Sequence, residues 1–431
     1  MAGTFLRSKY QSAPKRRYRD MRLPLSAGIA ILVAGLALSA CAGGAASVPS
    51  PKANQSPSSP VQASFRHLKM ISETSGWALA DTAGGTSVVR TDDGALGWSA
   101  VLEAHSRPMA FDFVPSVVDF HSATQAWVLG FLGAHSTASN EAVSIASTSD
   151  AGRHWRAVSE LTVNGQATSI EFIDPLHGWV FASPSAGGVI GAQDTTLYGT
   201  VDGGVTWQIS KPPSQVRGNA AVRGRLPEAC AAGVLDAPSF INAQDGWIAG
   251  PCDSRLFLYA SHDGGLNWTQ ESPPSFPAAA GEPNPPTYVT RSPRFISPED
   301  GFLVVLRGVT TGANSLQEAA VYVTKDGGAT WTAHRLPQAE LHTDFVDAEN
   351  GWFVGVSDVG GTLTRVLHVT RDGGQTWRAV SGPHDYFDGD LSFVSAMVGF
   401  IAAPSIRGQP GQFFKTTDGG ATWGPLRAVV R

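Results

Sequence analysis

Charged residues and cysteines are both scarce in this chain. Charged side chains make up 16% of the 431 residues, and there are three cysteines, Cys41, Cys230 and Cys252. No Cys/His spacing is typical of a zinc site, and no segment shows the 3.6-residue apolar period of a long amphipathic helix. A zinc-binding module and a helical fold are therefore excluded. Glycine (48) and tryptophan (12) are abundant, which suits short strands joined by tight turns.

The N-terminus has the features of an export signal. Basic residues up to Arg22 precede the apolar run LPLSAGIAILVAGLALSA, which ends directly before Cys41. The stretch Leu38-Ser39-Ala40-Cys41 resembles a bacterial lipoprotein signal, in which the cysteine receives lipid and becomes the mature N-terminus. We therefore expect a signal peptide at residues 1–40 and lipidation of Cys41. The alternative is a plain transmembrane anchor, and translation could start at Met1 or at Met21.

This signal predicts where the mature protein lies. A lipid on Cys41 would anchor it to the bacterial membrane on the extracytoplasmic side. Residues 41–63 are rich in Ser, Pro and Gly and predict a flexible tether. Residues 1–40 hold seven of the 31 basic and one of the 36 acidic residues, so the mature part carries a net charge of −11. An acidic surface repels nucleic acid, so we expect no nucleic-acid partner.

The two remaining cysteines, Cys230 and Cys252, form an even pair in an exported protein. A disulfide between them is expected, because exported proteins fold in an oxidising compartment. Two separate buried thiols are the alternative. No cofactor and no metal site is expected.

One eight-residue phrase, Ser/Thr-x-Asp-x-Gly-x-x-Trp, recurs along the chain. Its copies are TDDGALGW (91–98, worn at Ala95), TSDAGRHW (148–155), TVDGGVTW (200–207), SHDGGLNW (261–268), TKDGGATW (324–331), TRDGGQTW (370–377) and TTDGGATW (416–423). Successive copies begin 46 to 63 residues apart. A period of this size indicates a propeller or another repeat array.

A second phrase, a small residue followed by an aromatic one, precedes every copy. Its seven copies begin at positions 76, 126, 178, 246, 301, 351 and 399. Each repeat then contains four strand-like segments; in the third repeat these are ATSIEF, GWVFA, TTLYGT and VTWQIS. The sequence therefore predicts an all-β chain of seven four-stranded antiparallel units.

The letters of the eight-residue phrase have a physical explanation. Asp-Gly between two strands is a strong hairpin signal, and glycine accepts positive φ. The carboxylate can accept N–H groups of its own turn, and the Ser/Thr hydroxyl can brace it. The Trp is then expected to return into the sheet. The seven aspartates are thus predicted to be structural: Asp93, Asp150, Asp202, Asp263, Asp326, Asp372 and Asp418.

These paired phrases resemble the BNR or Asp-box repeat, most closely in its photosystem II stability/assembly-factor type. Sortilin-type receptors and sialidases contain similar repeats. The resemblance covers residues 64–431 and implies a single seven-bladed β-propeller with its Asp-boxes at the outer rim. Neither end of the array shows an obvious strand exchange. Packing of the first blade against the seventh is therefore expected to close the ring.

Signatures of catalysis are weak. There is no G-x-S-x-G, H-E-x-x-H or P-loop motif. The arginines in or beside the boxes repeat with them, as do Tyr198, Tyr259 and Tyr322, so they do not indicate a sialidase site. Among the tyrosines of residues 64–431, Tyr288 and Tyr386 fall outside the repeat pattern. The segment HDYFDGD (384–390) could hold Ca²⁺, but an Asp-rich turn is the favoured interpretation. We expect no enzymatic activity.

Two insertions, 211–238 and 272–293, interrupt the regular pattern beside the fourth repeat. Binding residues concentrate on loops carried by rigid scaffolds, so Arg217, Arg223 and Arg225 are candidates for a partner surface. The function expected from the sequence is that of a monomeric, non-enzymatic binding or assembly factor for an exported or membrane protein. By resemblance, that target is a photosystem. The alternative is a glycan-binding or sialidase-like glycoside hydrolase surface protein.

Overall fold

Seven antiparallel sheets follow one another along the chain, each built from consecutive strands. The computed structural model describes residues 63–104, 113–132, 140–183, 196–210, 235–252, 255–277, 287–311, 314–359, 362–382, 384–403 and 411–430. The predicted signal peptide, Cys41, Cys230 and the three candidate arginines lie outside these residues. No helix among the described residues is long and apolar enough to span a membrane.

The first four sheets have regular strand order. Blade 1 contains β1 (Ser64–Met70), β2 (Gly76–Thr82), β3 (Gly85–Thr91) and β4 (Gly97–Glu103). Blade 2 contains β5 (Phe113–Asp119), β6 (Ala126–Leu132), β7 (Asn140–Thr148) and β8 (Arg156–Asn164). Blade 3 contains β9 (Gln166–Phe172), β10 (Gly178–Ser183), β11 (Thr196–Thr200) and β12 (Gln208–Ser210). Blade 4 contains β13 (Ser239–Phe240), β14 (Asp245–Cys252), β15 (Arg255–His262) and β16 (Thr269–Glu271).

The last three sheets include one broken strand. Blade 5 contains β17 (Thr287–Thr290), β18 (Arg294–Phe295), β19 (Gly301–Thr311), β20 (Asn314–Thr324) and β21 (Thr332–Arg335). Blade 6 contains β22 (Ala339–Phe345), β23 (Gly351–Val359), β24 (Thr362–Thr370) and β25 (Arg378–Ala379). A 3₁₀ helix (Asp385–Asp388) leads into blade 7, which contains β26 (Asp390–Phe393), β27 (Gly399–Ala403), β28 (Gln412–Thr416) and β29 (Gly424–Leu426). The last strand is β30 (Val429–Val430).

The first strand of each blade lies at the centre of the ring. First strands pack against one another between neighbouring blades, as β5 does on β9, β22 on β26 and β26 on β1. The seven-bladed β-propeller predicted from the sequence is thus confirmed. Both β17 and β18 pair with β19, so the innermost strand of blade 5 is split. Pro293 stands in the break, where it cannot donate a ladder hydrogen bond.

Aromatic pairs hold successive blades together. The aromatic residue of the second phrase stacks on the aromatic residue that ends the next blade's first strand. The ring centroids of Trp127 and Phe172 lie 4.0 Å apart, and those of Trp352 and Phe393 lie 3.6 Å apart, in both cases with nearly parallel rings. The Phe172 ring also covers Gly178 of its own blade, where an added Cβ would come within 2.5 Å of that ring. The small residue of the phrase therefore makes room for the inter-blade stack.

The eight-residue phrases form closed turns. In blade 6, the Thr370 hydroxyl donates to Asp372 Oδ1 at 2.7 Å and accepts the Gly374 N–H at 2.9 Å. The backbone N–H of Thr376 donates to Asp372 Oδ1 at 2.9 Å, and its hydroxyl donates to Oδ2 at 2.5 Å. Both carboxylate oxygens are therefore occupied within the turn. The Trp that follows is buried in blades 1, 2 and 4 and half-buried in the other four.

Blade 1 packs against blade 7 to close the ring. The Phe413 ring meets Phe65 edge-on at 4.6 Å and lies 5.4 Å from Trp98. In addition, β30 leaves blade 7 and pairs in parallel with β4 of blade 1, Val430 opposite Trp98. The expectation that packing closes the ring is confirmed. The expectation that no strand is exchanged was wrong, because the two residues of β30, which follow the seventh blade, add a fifth strand to blade 1.

Candidate binding site on the propeller axis

One position in each blade faces the centre of the ring. It is the residue directly before the aromatic residue (Met70 in blade 1) that ends the innermost strand, and we call it the axial position. Its seven occupants are Lys69, Asp119, Glu171, Ser239, Arg294, Asp344 and Ser392. Charges from blades 2, 3, 5 and 6 all act electrostatically on Lys69 of blade 1. These side chains therefore lie near one another at the centre of the ring, a region that we call the channel.

At four blade interfaces the axial residue binds the backbone of the next blade. Asp119 accepts the Phe172 N–H at 2.8 Å, and Glu171 accepts the Phe240 N–H at 3.3 Å. Asp344 accepts the Phe393 N–H at 2.7 Å. Ser392 closes the series across the ring junction by accepting the N–H of Met70 at 3.0 Å. We call this bond the inter-blade stitch; it satisfies an N–H on the free edge of the innermost strand.

Lys69 and Arg294 cannot make the stitch, because an ammonium and a guanidinium have no acceptor atom. The Lys69 ammonium donates no hydrogen bond and forms no ion pair within the described part of the chain. It is closely surrounded by protein, yet its side-chain surface is exposed, as expected for a group that borders an open channel. At these two positions a positive charge facing the channel replaces the stitch, and at Arg294 an ion pair with Asp344 makes the contact with the next blade.

The channel environment shifts three pKa values. Burial lowers the pKa of Lys69, with the opposing influence of Asp119 next in size. Burial raises the pKa of Asp119. Burial, and then the neighbouring Asp119 carboxylate, raise the pKa of Glu171 to about 8. At neutral pH Glu171 is therefore mostly protonated.

A cleft of about 420 Å³ lies between the innermost strands of blades 5 and 6; we call it the five–six cleft. Phe302, Val304 and Phe345 supply its apolar lining. Two arginines supply positive charge: Arg294 Nη1 lies 2.6 Å from Asp344 Oδ1, and Arg291 Nε lies 3.4 Å from Glu340 Oε2.

The two ion pairs of the five–six cleft are asymmetric. The side chains of Arg291 and Arg294 are 50% and 53% exposed, whereas those of Glu340 and Asp344 are 2% and 7% exposed. Asp344 also receives the Phe393 N–H on its second oxygen, so its position is fixed from both sides. A buried carboxylate beneath each arginine holds the guanidinium in place while part of it faces the cleft. This arrangement suits the recognition of an anion.

The aspartates of the eight-residue phrases lie away from this site, each hydrogen-bonded inside its own turn. Bonds from the Thr206 hydroxyl and N–H lower the pKa of Asp202 to about 2. Hydrogen bonds from the backbone N–H and the ring of His154 lower the pKa of Asp150 to about 2. In Asp263, Asp326, Asp372 and Asp418, turn hydrogen bonds likewise outweigh burial and lower the pKa. Asp93 accepts the Gly97 N–H at 2.7 Å.

Other candidate residues from the sequence are distributed as follows. Cys252 ends β14, and its predicted partner Cys230 lies outside the described residues, so the disulfide stays a prediction. Asp388 pairs with Arg365, and Asp390 accepts the Leu68 N–H at 3.1 Å. No group of acidic, His or Cys side chains within the described ranges could hold a metal ion. Tyr386 stacks on Phe414 at 4.2 Å, a packing role.

The sequence analysis missed the axial position and the five–six cleft. The aromatic residue after each axial position repeats and is easy to recognise, but the axial residue itself changes between Lys, Asp, Glu, Ser and Arg. A signal was present in the alignment of the repeats: one fixed position, directly before a repeated apolar residue, is polar in every copy.

Comparison with known proteins supports the predicted resemblance to the photosystem II assembly-factor type. No protein-family model matches the chain. The photosystem II assembly lipoprotein Ycf48 of Synechococcus sp. (strain CC9902) is 25% identical over 215 residues, 48% of this chain and 47% of that protein. The chain thus spans about half the length of this curated relative.

Solved structures also resemble the chain. Ycf48 from Cyanidioschyzon merolae aligns over 83% of this chain and 96% of its own, with 16% identity and a TM-score of 0.46. A polysaccharide lyase, the ulvan lyase PL25 bound to a disaccharide, aligns over 83% of this chain and 95% of its own, with 11% identity and a TM-score of 0.51. At such identity the lyase similarity concerns the fold alone.

Proposed function

We propose that this protein is a membrane-anchored extracytoplasmic lipoprotein whose propeller binds an exported or membrane protein without catalysis and aids assembly of a complex. The observation that carries the proposal is the sequence similarity to an assembly lipoprotein, together with the Leu-Ser-Ala-Cys stretch of this chain. The lipid on Cys41 and the tether at residues 41–63 would keep the propeller close to membrane proteins.

The chemistry of the axial carboxylates favours binding over catalysis. A general acid or base has to exchange its proton with a substrate, and it needs an atom free to reach it. Both oxygens of Asp344 are occupied, and both oxygens of Glu171 accept hydrogen bonds from blade 4, those of Ser239 and Phe240. These carboxylates hold blades together, so a substrate could not recruit them without breaking inter-blade contacts.

A protein partner fits the shape and charge of the molecule. The ring is rigid because aromatic stacks and stitches join its blades, and a rigid scaffold presents loops at low entropic cost. The predicted partner surface is the insertion that carries Arg217, Arg223 and Arg225, three positive charges on an acidic protein. Steering by such a patch favours a partner with an acidic face.

Affinity purification from the native membranes tests this function. The lipidated full chain is captured in gentle detergent, and co-purifying proteins are quantified by mass spectrometry. We expect one membrane or exported protein at near-stoichiometric amounts. The triple variant Arg217→Ala, Arg223→Ala, Arg225→Ala should lose most of it, while the rim variant Arg378→Ala should retain it. A preparation without any stoichiometric partner would contradict the proposal.

The kind of complex is tested separately. If the partner is part of a photosystem, the host makes chlorophyll–protein complexes. A strain that lacks this protein should then accumulate less of them. A partner from another membrane complex would keep the assembly role and reject the photosystem. Release of sialic acid from a fluorogenic substrate by the purified chain would instead reject the non-enzymatic role.

A further inference from the structure

We propose that the five–six cleft and the adjoining channel bind a ligand with a carboxylate attached to an apolar body. Arg294 and Arg291 would bind the carboxylate, the lining of Phe302, Val304 and Phe345 would contact the apolar body, and Lys69 would supply a third positive charge from the channel. This site is separate from the predicted arginine insertion and does not depend on a protein partner.

The first argument is that a cation, which cannot make the stitch, occupies the axial position at two blade interfaces. At four interfaces the axial residue accepts an N–H of the next blade, and in each case it carries an oxygen. Lys69 and Arg294 replace that acceptor with a donor. Arg294 pairs instead with Asp344 of blade 6, whereas Lys69 makes neither a hydrogen bond nor an ion pair within the described part of the chain. An anionic ligand would give both cations a partner in the channel.

The positioning of the arginines is the second argument. Asp344 is fixed by the Phe393 N–H and in turn holds Arg294 Nη1 at 2.6 Å. A guanidinium carries five N–H groups in a planar fork, so those not engaged by Asp344 remain for a second, planar carboxylate. Because the fork is already oriented, the ligand does not bear the full entropic cost of ordering the side chain.

The unpartnered ammonium of Lys69 is the third argument. Lys69 lies within electrostatic range of Arg294, and their mutual repulsion contributes to the lowered pKa of Lys69. A carboxylate between the two cations would relieve this repulsion. Asp119 and Asp344 line the same channel and disfavour additional negative charge, which favours a ligand with a single carboxylate over a phosphate or a polyanion.

The cleft itself limits the ligand. A volume of about 420 Å³ lies in the range of small-molecule sites. The three apolar side chains are almost fully buried in the blades, with 3–5% exposure, so they form a firm wall and would not need to rearrange. The carboxylate could belong to a free small molecule or to an acidic side chain of a peptide, which present the same chemistry.

Titration calorimetry on the full chain in detergent micelles tests the site with three probes. Phenylacetate represents a free ligand, acetyl-Phe-Glu-amide represents a peptide, and phenylacetamide is the neutral control. We expect saturable one-to-one binding of phenylacetate or of the peptide, and which of the two binds identifies the source. Phenylacetamide should bind at least about tenfold more weakly, because it lacks the charge. Equal binding of phenylacetate and phenylacetamide, or no binding of either carboxylate, overturns the proposal.

Variants assign the binding to the named residues. Arg294→Lys keeps a positive partner for Asp344 but loses the fork, and it should weaken binding by about tenfold. Lys69→Met should weaken it several-fold. The matched controls Arg378→Lys and Lys325→Met change exposed residues away from the axis and should leave the affinity unchanged. Equal effects of Arg294→Lys and Arg378→Lys would overturn the assignment.

A readout on Lys69 itself completes the test. An amine with a lowered pKa reacts faster with acylating reagents at neutral pH. Limited acetylation followed by peptide mass spectrometry should label Lys69 early, and bound phenylacetate should protect it while leaving Lys325 reactive. Protection of neither lysine or of both equally argues against a ligand at the axis. These results are independent of the affinity purification, so each proposal can fail alone.

Discussion

Trp179 of blade 3 stacks face to face on Phe240 of blade 4, with ring centroids 3.6 Å apart and an interplanar angle of 1°. The Trp179 indole N–H also donates to the carbonyl of Gly264 at 3.0 Å, in the Asp turn of blade 4. One side chain therefore touches the next blade both at its innermost strand and at its outer turn. Contacts of this kind make the ring cooperative.

Replacement of Phe240 by alanine tests the inter-blade stack. The ring is 4% exposed and contacts Trp179 on one side and Trp268 edge-on at 6.0 Å. Phe240→Ala should lower the free energy of unfolding by about 3–5 kcal/mol, because it leaves a cavity between two blades. Ile209→Ala, at a site 55% exposed on blade 3, should change it by less than about 0.5 kcal/mol. Denaturant unfolding of both variants and the wild type measures these changes. Similar unfolding midpoints for Phe240→Ala and Ile209→Ala would contradict the packing described for Phe240.

Replacement of Ala151 by glycine should stabilise the protein. Ala151 occupies the first glycine position of its eight-residue phrase and has φ of 66°, while the matching Gly327 has φ of 67°. A left-handed conformation costs a Cβ-bearing residue about 1–2 kcal/mol, and the greater freedom of glycine in the unfolded chain offsets part of this. Ala151→Gly should therefore raise the free energy of unfolding by about 0.5–1 kcal/mol. The reverse change, Gly327→Ala, should destabilise, since its Cβ would lie 2.9 Å from the Pro298 carbonyl oxygen.

The free energy of unfolding should fall as the pH rises from about 5 to 8. The pKa of Glu171 is raised from its ordinary value of 4.5 to about 8 in the folded protein. Between these values the folded state retains a proton that the unfolded state has lost, so a rise in pH favours unfolding. One pKa unit corresponds to about 1.4 kcal/mol, and water in the channel reduces the total, so we expect a loss of about 1–3 kcal/mol.

The variant Glu171→Gln isolates this effect. Glutamine cannot ionise but still offers an oxygen to the Phe240 N–H, so it should flatten the pH dependence over this window. Denaturant unfolding at several pH values measures both proteins. A wild-type protein that becomes more stable from pH 5 to 8, or a variant with the same slope as the wild type, would show that Glu171 does not carry the proton.

Asp202 should titrate at a lower pH than an ordinary aspartate. Bonds from Thr206, through its hydroxyl and then its N–H, lower the pKa of Asp202 to about 2. Carbon-13 NMR of the carboxyl group should give a midpoint near this value, and Thr206→Val should raise it toward the ordinary value of 3.8 by removing the hydroxyl bond. A midpoint near 3.8 in the wild type would mean that the turn is not closed as described.

The sequence predicted the seven sheets because each blade contains two phrases that mark its hairpins. Those phrases place a turn after each third strand and a buried aromatic residue on each second strand, which is sufficient to count the blades. It did not predict β30, since a pairing of two residues, Val429 and Val430, has no pattern of its own. Nor did it predict the split innermost strand of blade 5, although Pro293 was visible.

The axial site could not be predicted because its members are dispersed. Lys69 and Arg294 are 225 positions apart, and neither belongs to a recognisable motif. Only the ring geometry shows that both occupy the same position in their blades and face one channel. The alignment of repeats indicates which side chains share an orientation, but the charges at the axial position follow no repeat pattern. These charges become informative only when they are compared with the axial residues that make a stitch in other blades.

The size of the native protein in gently solubilised host membranes is the most direct test of the binding role. Sedimentation through a density gradient, followed by detection of this chain, compares its mobility with that of the purified mature protein in the same detergent. We predict that most of it sediments with a larger membrane complex and returns to the monomer position after the complex is dissociated. Sedimentation of the native protein entirely at the monomer position would contradict a role as a binding or assembly factor.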